Sequence, residues 1–421
     1  MDKLIIEGGV RLKGSVRISG SKNAALPILA ATILTDEVCV IRNVPNLRDV
    51  HLMLRILRTL GAQAEFKKGV VTACSKRLKS YTAPYNLVSK MRASFCVLGP
   101  LLARFNKAKV SLPGGCIIGV RPVDLHIKGL KRLNADITVS GGYVHARSDE
   151  LKGGHIYLGG EFGSSVLATA NVLMAAVRAK GTTIIENAAC EPEVVDLANF
   201  LNKMGAEIEG AGTPAIEIKG VKALKGVEHK VIPDRIEAGT FMTAGAITGG
   251  NIVITGIIHK HLSALIDKLE EIGVILERTD SSLRIKAGRN LKPANITTLP
   301  YPGFPTDMQA QFMSLLSIIP GVSVITEKIY PDRFMHVAEL NRMGAHIQKE
   351  GPHAIIAGVK YLSGAPVMAS DLRASAALVV AALAAGGKTE VSRVYHIDRG
   401  YENIEKKLEA LGAKILRIKE N

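Results

Sequence analysis

The residues best suited to chemistry lie where strand-like segments meet apolar helical ones. The first such junction is Ser19-Gly20-Ser21-Lys22-Asn23-Ala24, which ends a strand pattern and opens a helix without a polar face. Backbone N–H groups at a helix start attract anions, and a Lys ammonium beside them strengthens that attraction. The junction therefore predicts a compact anion site.

Polar residues recur at the corresponding place in the other units. They are Lys90-Met91-Arg92, Gly163-Ser164-Ser165, Pro233-Asp234-Arg235-Ile236-Glu237, Pro305-Thr306-Asp307-Met308 and Asp371-Leu372-Arg373. Ser, Asp and Asn at a helix start are ordinary N-caps, so Ser164 has a purely structural alternative. Cations oppose the helix dipole at that end, which makes Lys22, Arg92 and Arg373 candidate ligands rather than caps.

A second chemical feature is the loop at residues 113–126. Its three glycines and Pro113, between a strand pattern at 109–112 and a helix beginning near Pro122, predict a mobile segment that carries one thiol, Cys116. A thiol is reactive when it is exposed among positive groups, and Arg121 is five residues away. A turn alone explains the glycines, so the Cys is the stronger indication of function.

A repeated tripeptide shows which elements position these residues. An apolar-Gly/Asn-Ala/Val mark follows each of six amphipathic helical patterns and precedes a strand-like one. Its middle residues lie 73, 71, 68, 71 and 68 residues apart, at Gly61, Asn134, Gly205, Gly273, Gly344 and Gly412. Such fixed-period similarity means that one supersecondary unit is copied along the chain.

Each unit contains two kinds of helix. The amphipathic kind ends at the mark, as at 45–60, where Val50, Met53, Leu54 and Leu57 share a face and Gly61 is a plausible C-cap. The second kind is small and apolar all round, and we predict it at 24–34, 95–103, 164–177, 238–248, 310–319 and 374–385. The longest run is near 14 residues, short of the roughly 18 to 20 that a bilayer span needs, so we expect core helices.

Strand-like runs, such as 182–185, 252–254 and 322–325, follow the apolar helices. We therefore expect helices inside and sheets outside, with one core for every three units. The positions of the six repeats along the chain predict two domains. One comprises residues 22–232 and carries the Cys116 loop, and the other combines residues 1–21 with residues 233–421. We expect the active site in the cleft between them.

Composition is typical of a soluble cytosolic enzyme. The hydrophobic fraction is 47%, and residues 1–9 lack the apolar stretch of a signal peptide. The five cysteines are far apart and without CxxC spacing, which indicates neither a disulfide framework nor a zinc site. A net charge of +16 favours anionic partners. Few aromatics and no nucleic-acid-binding fingerprint point to small, multiply charged substrates rather than nucleic acid.

Six segments make the pattern specific. In order and across the whole chain they resemble the UDP-N-acetylglucosamine 1-carboxyvinyltransferases: 21–27 (SKNAALP), 113–126 (PGGCIIGVRPVDLH), 304–311 (FPTDMQAQ), 333–336 (RFMH), 371–374 (DLRA) and 395–401 (YHIDRGY). That family moves enolpyruvate from phosphoenolpyruvate to the sugar 3-hydroxyl, by addition and elimination, and releases phosphate. Its product is the first committed precursor of peptidoglycan.

The resemblance implies an inside-out α/β barrel of two domains, each with three βαβαββ-type units. It also implies a cytoplasmic enzyme with two small-molecule substrates, phosphoenolpyruvate and UDP-N-acetylglucosamine. We expect no metal and no cofactor, since phosphoenolpyruvate is a co-substrate, and neither a nucleic-acid partner nor a membrane span.

Catalytic roles follow from the matching positions. Cys116 resembles the general acid that protonates the methylene carbon and can bond covalently to the substrate, and Asp307 resembles the base at the sugar hydroxyl. An acid and a base on opposite sides of the reacting pair suit addition followed by elimination. Lys22 and Arg399 complete the catalytic set that the resemblance implies.

Binding roles follow in the same way. Lys22, Asn23, Arg92, Arg121 and Arg399 would hold phosphoenolpyruvate, because a trianion needs several cations and Arg pairs bidentately with carboxylate or phosphate. The remaining binding candidates on the uridine side are Arg121, Pro122, Val123, Asp124 and Leu125, and Ile329 would lie near the nucleotide sugar. Asp371 and Arg373 would support the closed site together with Arg399, and Asp307 and Arg333 are further substrate-binding candidates. Gly163, Ser164 and Asp234 are further candidates.

The Cys116 loop is expected to act as a lid. Charged groups interact more strongly once water is expelled, so we expect the loop to fold over bound nucleotide sugar. We also expect Cys116 to be alkylated by an epoxide phosphonate such as fosfomycin.

One segment departs from the family: 157–165 is shorter than in some members and lacks a Lys that those members place against the diphosphate. Backbone N–H groups are the expected substitute there.

Three alternatives remain open. The related 3-phosphoshikimate 1-carboxyvinyltransferases share the six-unit fold and phosphoenolpyruvate, but the Cys-bearing loop and the RPVDLH run argue against them. RNA 3′-phosphate cyclases have similar architecture, but no motif for adenylylation is visible. A catalytically silent paralogue is disfavoured because Lys22, Cys116, Asp307 and Arg399 are all present.

Overall fold

The computed structural model describes residues 2–114, 123–161, 163–287 and 290–419. Within these residues the chain divides into two compact units. The first unit runs from Gly20 to Ile232, and the second unit combines the residues up to Ser19 with those from Pro233 onward.

The strands of the described residues are short. They are β1 (Asp2–Glu7), β2 (Lys13–Arg17), β3 (Val38–Arg42), β4 (Gln63–Lys67), β5 (Val70–Cys74), β6 (Thr82–Ala83), β7 (Lys107–Ser111), β8 (Asp136–Ser140), β9 (Tyr143–Arg147), β10 (His155–Tyr157), β11 (Thr182–Glu186), β12 (Glu207–Glu209), β13 (Ala215–Lys219), β14 (Glu228–Lys230), β15 (Asn251–Thr255), β16 (Val274–Arg278), β17 (Ser282–Ala287), β18 (Ile296–Thr297), β19 (Val322–Thr326), β20 (His346–Glu350), β21 (His353–Ala357), β22 (Pro366–Met368), β23 (Lys388–Ser392) and β24 (Lys414–Lys419).

The α-helices of the same residues alternate with the strands. They are α1 (Lys22–Ala31), α2 (Arg48–Leu60), α3 (Tyr85–Val88), α4 (Leu98–Phe105), α5 (Asp124–Arg132), α6 (Val166–Ala176), α7 (Pro192–Lys203), α8 (Arg235–Ile247), α9 (Ser263–Ile272), α10 (Gln309–Leu316), α11 (His336–Arg342), α12 (Leu372–Ala384) and α13 (Ile404–Ala410). Short 3-10 helices cover Thr32–Leu34, Arg92–Val97, His259–Leu262, Thr306–Met308 and Val394–Arg399.

The described strands form six four-stranded sheets of one design. In the sheet with the order β10-β11-β13-β12, the first pair is parallel and the other two pairs are antiparallel. The same pairing occurs in the sheets ordered β14-β3-β5-β4, β6-β7-β9-β8, β2-β15-β17-β16, β18-β19-β21-β20 and β22-β23-β1-β24. The elements β10-α6-β11-α7-β12-β13 follow one another along the chain and form one complete βαβαββ unit. The hairpin of β12 and β13 places β13 next to β11 in the middle of the sheet and β12 at its edge.

Three sheets are completed by strands from distant parts of the sequence. β1 lies between β23 and β24, and β2 pairs in parallel with β15, so both N-terminal strands belong to the second unit. β14 closes the first unit by pairing in parallel with β3. Each unit is therefore closed by strands that are far apart in sequence.

The apolar helices form the interior of each unit. In the second unit α8, α10 and α12 pack against one another, and in the first unit α6 packs against α1 and α4. Small residues allow this close approach: in α12 every residue from Arg373 to Leu383 is buried. The buried side chains form two clusters, one for each unit. The expected fold class, with helices inside and sheets outside, is confirmed.

The repeated mark has a conformational cause. All six middle residues have positive φ, a region that favours Gly. Five are Gly with φ between 89° and 106°, whereas Asn134 has φ 67°, close to the left-handed α region that Asn tolerates. The mark therefore reverses the chain from the amphipathic helix into the next strand.

Among the described residues, no helix combines the length and the apolar character needed to cross a membrane.

Candidate active site

The start of α1 holds the predicted Lys of the first unit in a defined place. The Ser21 side chain caps the helix by accepting a hydrogen bond from the Ala24 N–H at 3.4 Å. Lys22 is buried, and its Nζ lies 3.5 Å from Oδ2 of Asp49, in the first turn of α2. A Cβ at Gly20 would lie 1.7 Å from the Asn43 carbonyl oxygen, so only Gly fits where the chain enters the helix. Asn23, next to Lys22, is half-buried.

A buried amide–imidazole pair fixes the start of α5. Asn171 Nδ2 donates to His126 Nδ1 at 2.9 Å and to the Phe95 carbonyl at 2.9 Å, while its Oδ1 accepts from the Gly99 N–H at 2.6 Å. Burial, and then the nearby charge of Arg92, lower the pKa of His126 to about 3. The charge of Arg92 thus acts on His126 of α5, the helix whose start carries the predicted uridine-side residues, of which Val123 and Leu125 are half-buried and Asp124 is exposed.

The titration of His126 makes stability depend on pH. The folded-state pKa lies below the ordinary 6.5, so between pH 6.5 and about 3 the unfolded chain binds a proton that the folded chain does not. Stability contributed by neutral His126 is full above pH 6.5 and is lost as the pH falls. Each unit of pH below 6.5 costs up to about 1.4 kcal/mol.

His126→Asn keeps a hydrogen-bond acceptor for Asn171 and removes the titration. We expect urea unfolding at pH 7.5 and pH 4.5 to show a smaller loss of stability on acidification for this variant than for the unsubstituted protein. The exposed His155 of β10 offers a control, because His155→Asn should leave the loss unchanged. Equal losses in all three proteins would contradict the role of buried His126.

The divergent segment lies against α5. Lys128 Nζ donates to the Gly159 carbonyl at 3.3 Å and lies 5.3 Å from the centre of the Tyr157 ring, so a cation is present beside the segment that lacks the expected Lys. The N–H of Gly163 donates to the Gly160 carbonyl at 3.1 Å within the turn. Ser164 is half-buried, and the N-cap of α6 is the next residue, Ser165, which accepts from the Ala168 N–H. The alternative that Ser164 is the cap is wrong.

In the second unit three predicted residues form one ion-pair cluster. Asp307 Oδ1 lies 2.9 Å from Arg333 Nη1, and its Oδ2 accepts from Arg373 Nε at 3.1 Å and Nη2 at 3.0 Å. Burial opposes the charge of both guanidinium groups, yet Asp307 holds the pKa of Arg333 and of Arg373 above the ordinary value. The two guanidinium groups fix both oxygens of this carboxylate in place, as a positioned general base requires.

Other predicted residues surround this cluster. Asp371 caps α12 by accepting from the N–H groups of Arg373 and Ala374 at 2.8 and 3.2 Å, and Asp234 caps α8 in the same way. Arg399 ends a 3-10 helix and is half-buried. Burial, followed by the charge of Arg399, lowers the pKa of His396. Asp371 acts on His396 and on Arg333, so these residues share one electrostatic neighbourhood.

Comparison with known proteins identifies the family of the chain. The family model for EPSP synthase (3-phosphoshikimate 1-carboxyvinyltransferase) matches residues 6–408. The UDP-N-acetylglucosamine 1-carboxyvinyltransferase of Myxococcus xanthus is 55% identical over 422 residues, and that of Geotalea uraniireducens is 56% identical over 420 residues. In both comparisons all of this chain and all of the relative are covered.

The chain belongs to the UDP-N-acetylglucosamine 1-carboxyvinyltransferase family.

A solved structure supports the fold of this carboxyvinyltransferase. The enolpyruvyl transferase NikO from Streptomyces tendae matches with a TM-score of 0.90 and 26% identity, covering 100% of this chain and 99% of that one. Three expected site residues of the carboxyvinyltransferase, Cys116, Arg121 and Pro122, lie outside the described residues. Within the described part of the chain, no group of His, Cys, Asp or Glu could hold a metal ion.

Sequence reasoning missed several residues that contact the predicted site residues. Asp49 pairs with Lys22 across 27 residues, and Tyr401 is buried with its hydroxyl 2.8 Å from Thr240 Oγ1 and its ring 5.5 Å from the Arg373 guanidinium. Glu327 is fully buried and accepts hydrogen bonds from Thr298, Thr306 and the Ile329 N–H. A charged residue directly after strand β19 was the one available signal for Glu327, because its partners are far apart in sequence.

Proposed function

We propose that the chain transfers the enolpyruvyl group of phosphoenolpyruvate to the 3-hydroxyl of UDP-N-acetylglucosamine, with release of phosphate, as the first committed step of peptidoglycan precursor synthesis. The observation that carries the proposal is the full-length match, at 55–56% identity, to relatives that bear this activity in their names. The Asp307 cluster supports it, because it supplies an ionised carboxylate at the position where the family places its base.

In the proposed reaction, Asp307 takes the proton of the sugar hydroxyl while the hydroxyl oxygen bonds to C2 of phosphoenolpyruvate. Cys116 gives a proton to the methylene carbon, which becomes a methyl group. In the second step the bond between C2 and the phosphate oxygen breaks, and the methyl group returns a proton to the Cys116 thiolate, which restores the double bond in the enolpyruvyl ether. The leaving phosphate takes the proton held by Asp307. Each proton transfer by a positioned side chain accelerates a reaction by about 10²- to 10⁴-fold.

Several cations bind the substrates in this proposal. Lys22, Asn23, Arg92, Arg121 and Arg399 hold the phosphate and carboxylate of phosphoenolpyruvate, and the Asp49 carboxylate holds the Lys22 ammonium in place. Val123, Asp124, Leu125 and Ile329 contact the nucleotide sugar. Arg333, Arg373 and Asp371 support the base. No metal and no cofactor takes part.

The proposal includes three finer statements. The enzyme acts in the cytoplasm, where its product supports cell-wall growth, cell shape and division. The Cys116 loop closes over bound nucleotide sugar, and Cys116 is the target of epoxide phosphonates such as fosfomycin. Partners are limited to the two small-molecule substrates. The high net positive charge, +16, supports anionic substrates.

Acceptor choice tests the proposal against the second candidate, 3-phosphoshikimate 1-carboxyvinyltransferase, the activity named in the family model that matches residues 6–408. Phosphate release from phosphoenolpyruvate is measured with UDP-N-acetylglucosamine, with shikimate 3-phosphate and without acceptor. We expect release with the nucleotide sugar alone. Release with shikimate 3-phosphate would support the second candidate, and no release with either acceptor would indicate a catalytically silent protein.

A further inference from the structure

The second unit contains a buried carboxylate that the proposed chemistry does not use. Glu327 follows β19 and is 0% exposed. Its Oε1 accepts from the Thr298 hydroxyl at 2.7 Å and from the N–H groups of Ile329 and Tyr330 at 2.9 and 3.0 Å. Its Oε2 accepts from the Thr306 hydroxyl at 2.9 Å. Burying a carboxylate is costly unless its oxygens are bonded, and these four bonds meet that requirement.

The bond to Oε2 fixes the direction of a hydrogen-bond chain. Thr306 donates its hydroxyl proton to Glu327 Oε2, which leaves the Thr306 lone pairs for another donor. That donor is Arg333 Nη1, at 3.0 Å. The same nitrogen lies 2.9 Å from Asp307 Oδ1. Glu327, Thr306, Arg333 and Asp307 therefore form one continuous chain of oriented polar groups.

We propose that Thr306, oriented by Glu327, is a positioning residue for Asp307: it holds the Arg333 guanidinium in the place from which Arg333 fixes the reactive carboxylate. Arg373 holds Oδ2 of the same carboxylate from α12, so the two guanidinium groups together prevent its rotation. Glu327 also accepts a hydrogen bond from the N–H of Ile329, the residue expected near the nucleotide sugar. The same carboxylate therefore connects Ile329 with the Asp307 cluster. The inference rests on the proposed role of Asp307.

The two threonines on Glu327 provide a matched comparison. Thr298 and Thr306 each donate one hydroxyl hydrogen bond to the carboxylate, but only Thr306 also accepts from Arg333. Thr298→Val and Thr306→Val therefore remove the same kind of bond from Glu327. A purely structural role predicts similar effects from the two variants. A positioning role predicts that only Thr306→Val changes the chemistry of Asp307.

Steady-state kinetics with the nucleotide sugar separate these outcomes. Misplacement of a reacting group by about 1 Å can cost a factor of about 100, so we expect Thr306→Val to lower kcat by about 10- to 100-fold with KM within about 3-fold. Loss of the Arg333 contact disfavours the ionised carboxylate, so the acidic limb of the kcat profile should move to higher pH. Thr306→Ser should restore both values, and Thr298→Val should leave both unchanged.

A second variant and a second measurement keep the test independent of the assigned activity. Glu327→Gln keeps Oε1 and places an N–H group toward Thr306, so it should reproduce the change in pH profile. The Asp307 carboxyl titration is followed by carbon-13 NMR, with Asp307→Asn for assignment, and should move to higher pH in Thr306→Val but not in Thr298→Val. This readout applies even if the unsubstituted protein fails to use UDP-N-acetylglucosamine, which would overturn the proposed function alone. Equal kinetic losses in the two valine variants, or an unchanged Asp307 titration in Thr306→Val, would overturn the inference.

Discussion

Asp307→Asn is expected to lower kcat by about 10²- to 10⁴-fold, the range associated with one positioned general base. The amide keeps the size of the side chain but neither accepts the hydroxyl proton nor balances the charges of Arg333 and Arg373. The side chains of these two cations are only 6% and 3% exposed. Phosphate release at saturating concentrations of both substrates measures the change.

The same substitution should also reduce stability. Breaking a buried ion pair costs about 3–5 kcal/mol, and the Asp307 side chain is 27% exposed, so we expect the free energy of unfolding to fall by about 1–3 kcal/mol. Asp332 offers a control, because its side chain is 85% exposed and pairs with Lys349 at 3.6 Å. Asp332→Asn should change neither kcat nor stability. Near-normal turnover by a folded Asp307→Asn protein would show that another group is the base.

Cys116→Ala is expected to lower kcat by a similar factor, about 10²- to 10⁴-fold, because it removes the proposed general acid. It should also abolish covalent labelling by an epoxide phosphonate in the presence of nucleotide sugar. Intact-protein mass spectrometry of the unsubstituted chain should show one adduct, and peptide mapping should place that adduct on Cys116. Phosphate release under the same conditions gives the kinetic loss.

The surroundings of the other four thiols bear on the expectation of a single adduct; one of them, Cys74, is half-buried with its Sγ 3.4 Å from the Asp36 carbonyl oxygen. Cys39 and Cys96 are fully buried, and burial raises their pKa values to about 11 and about 12, so both stay protonated and unreactive at neutral pH. Burial also raises the pKa of Cys190, which is half-buried. Cys190→Ala is the control and should leave both labelling and turnover unchanged. An adduct on Cys190, or full activity in Cys116→Ala, would contradict the proposed role of the loop.

The repeat determined much of the architecture. The period of the mark and the alternation of amphipathic with wholly apolar helices predicted buried helices, outer sheets and one core for every three units, and the fold shows all three. Periodicity predicts these features because burial of a helix or strand is set by which of its faces are apolar. The strand runs at 182–185, 252–254 and 322–325 fall within β11, β15 and β19 for the same reason.

The sequence did not reveal how β1 and β2 complete sheets whose other strands lie more than 200 residues away. A strand pattern records which face of a strand is buried but not which strand is its neighbour. The cap of α6 shows the same limit on a smaller scale, since Ser164 and Ser165 are both good N-caps and the backbone selected Ser165. Local composition therefore leaves pairing and caps undecided.

By itself, the sequence determined the six-unit organisation and predicted Lys22, Asp307 and Arg373 at helix starts, because helix periodicity and charged residues at helix starts are local properties. The class of chemistry and the choice of Arg333 came from the resemblance of its motifs to the family. Only the tertiary structure decided how these charges are compensated. Folding pairs Asp49 with Lys22, and it pairs Asp307 with the guanidinium groups of Arg333 and Arg373. It also joins Arg333 to Glu327 by hydrogen bonds through Thr306. Charge compensation depends on distances of a few ångströms between segments remote in sequence, and chain folding alone sets those distances.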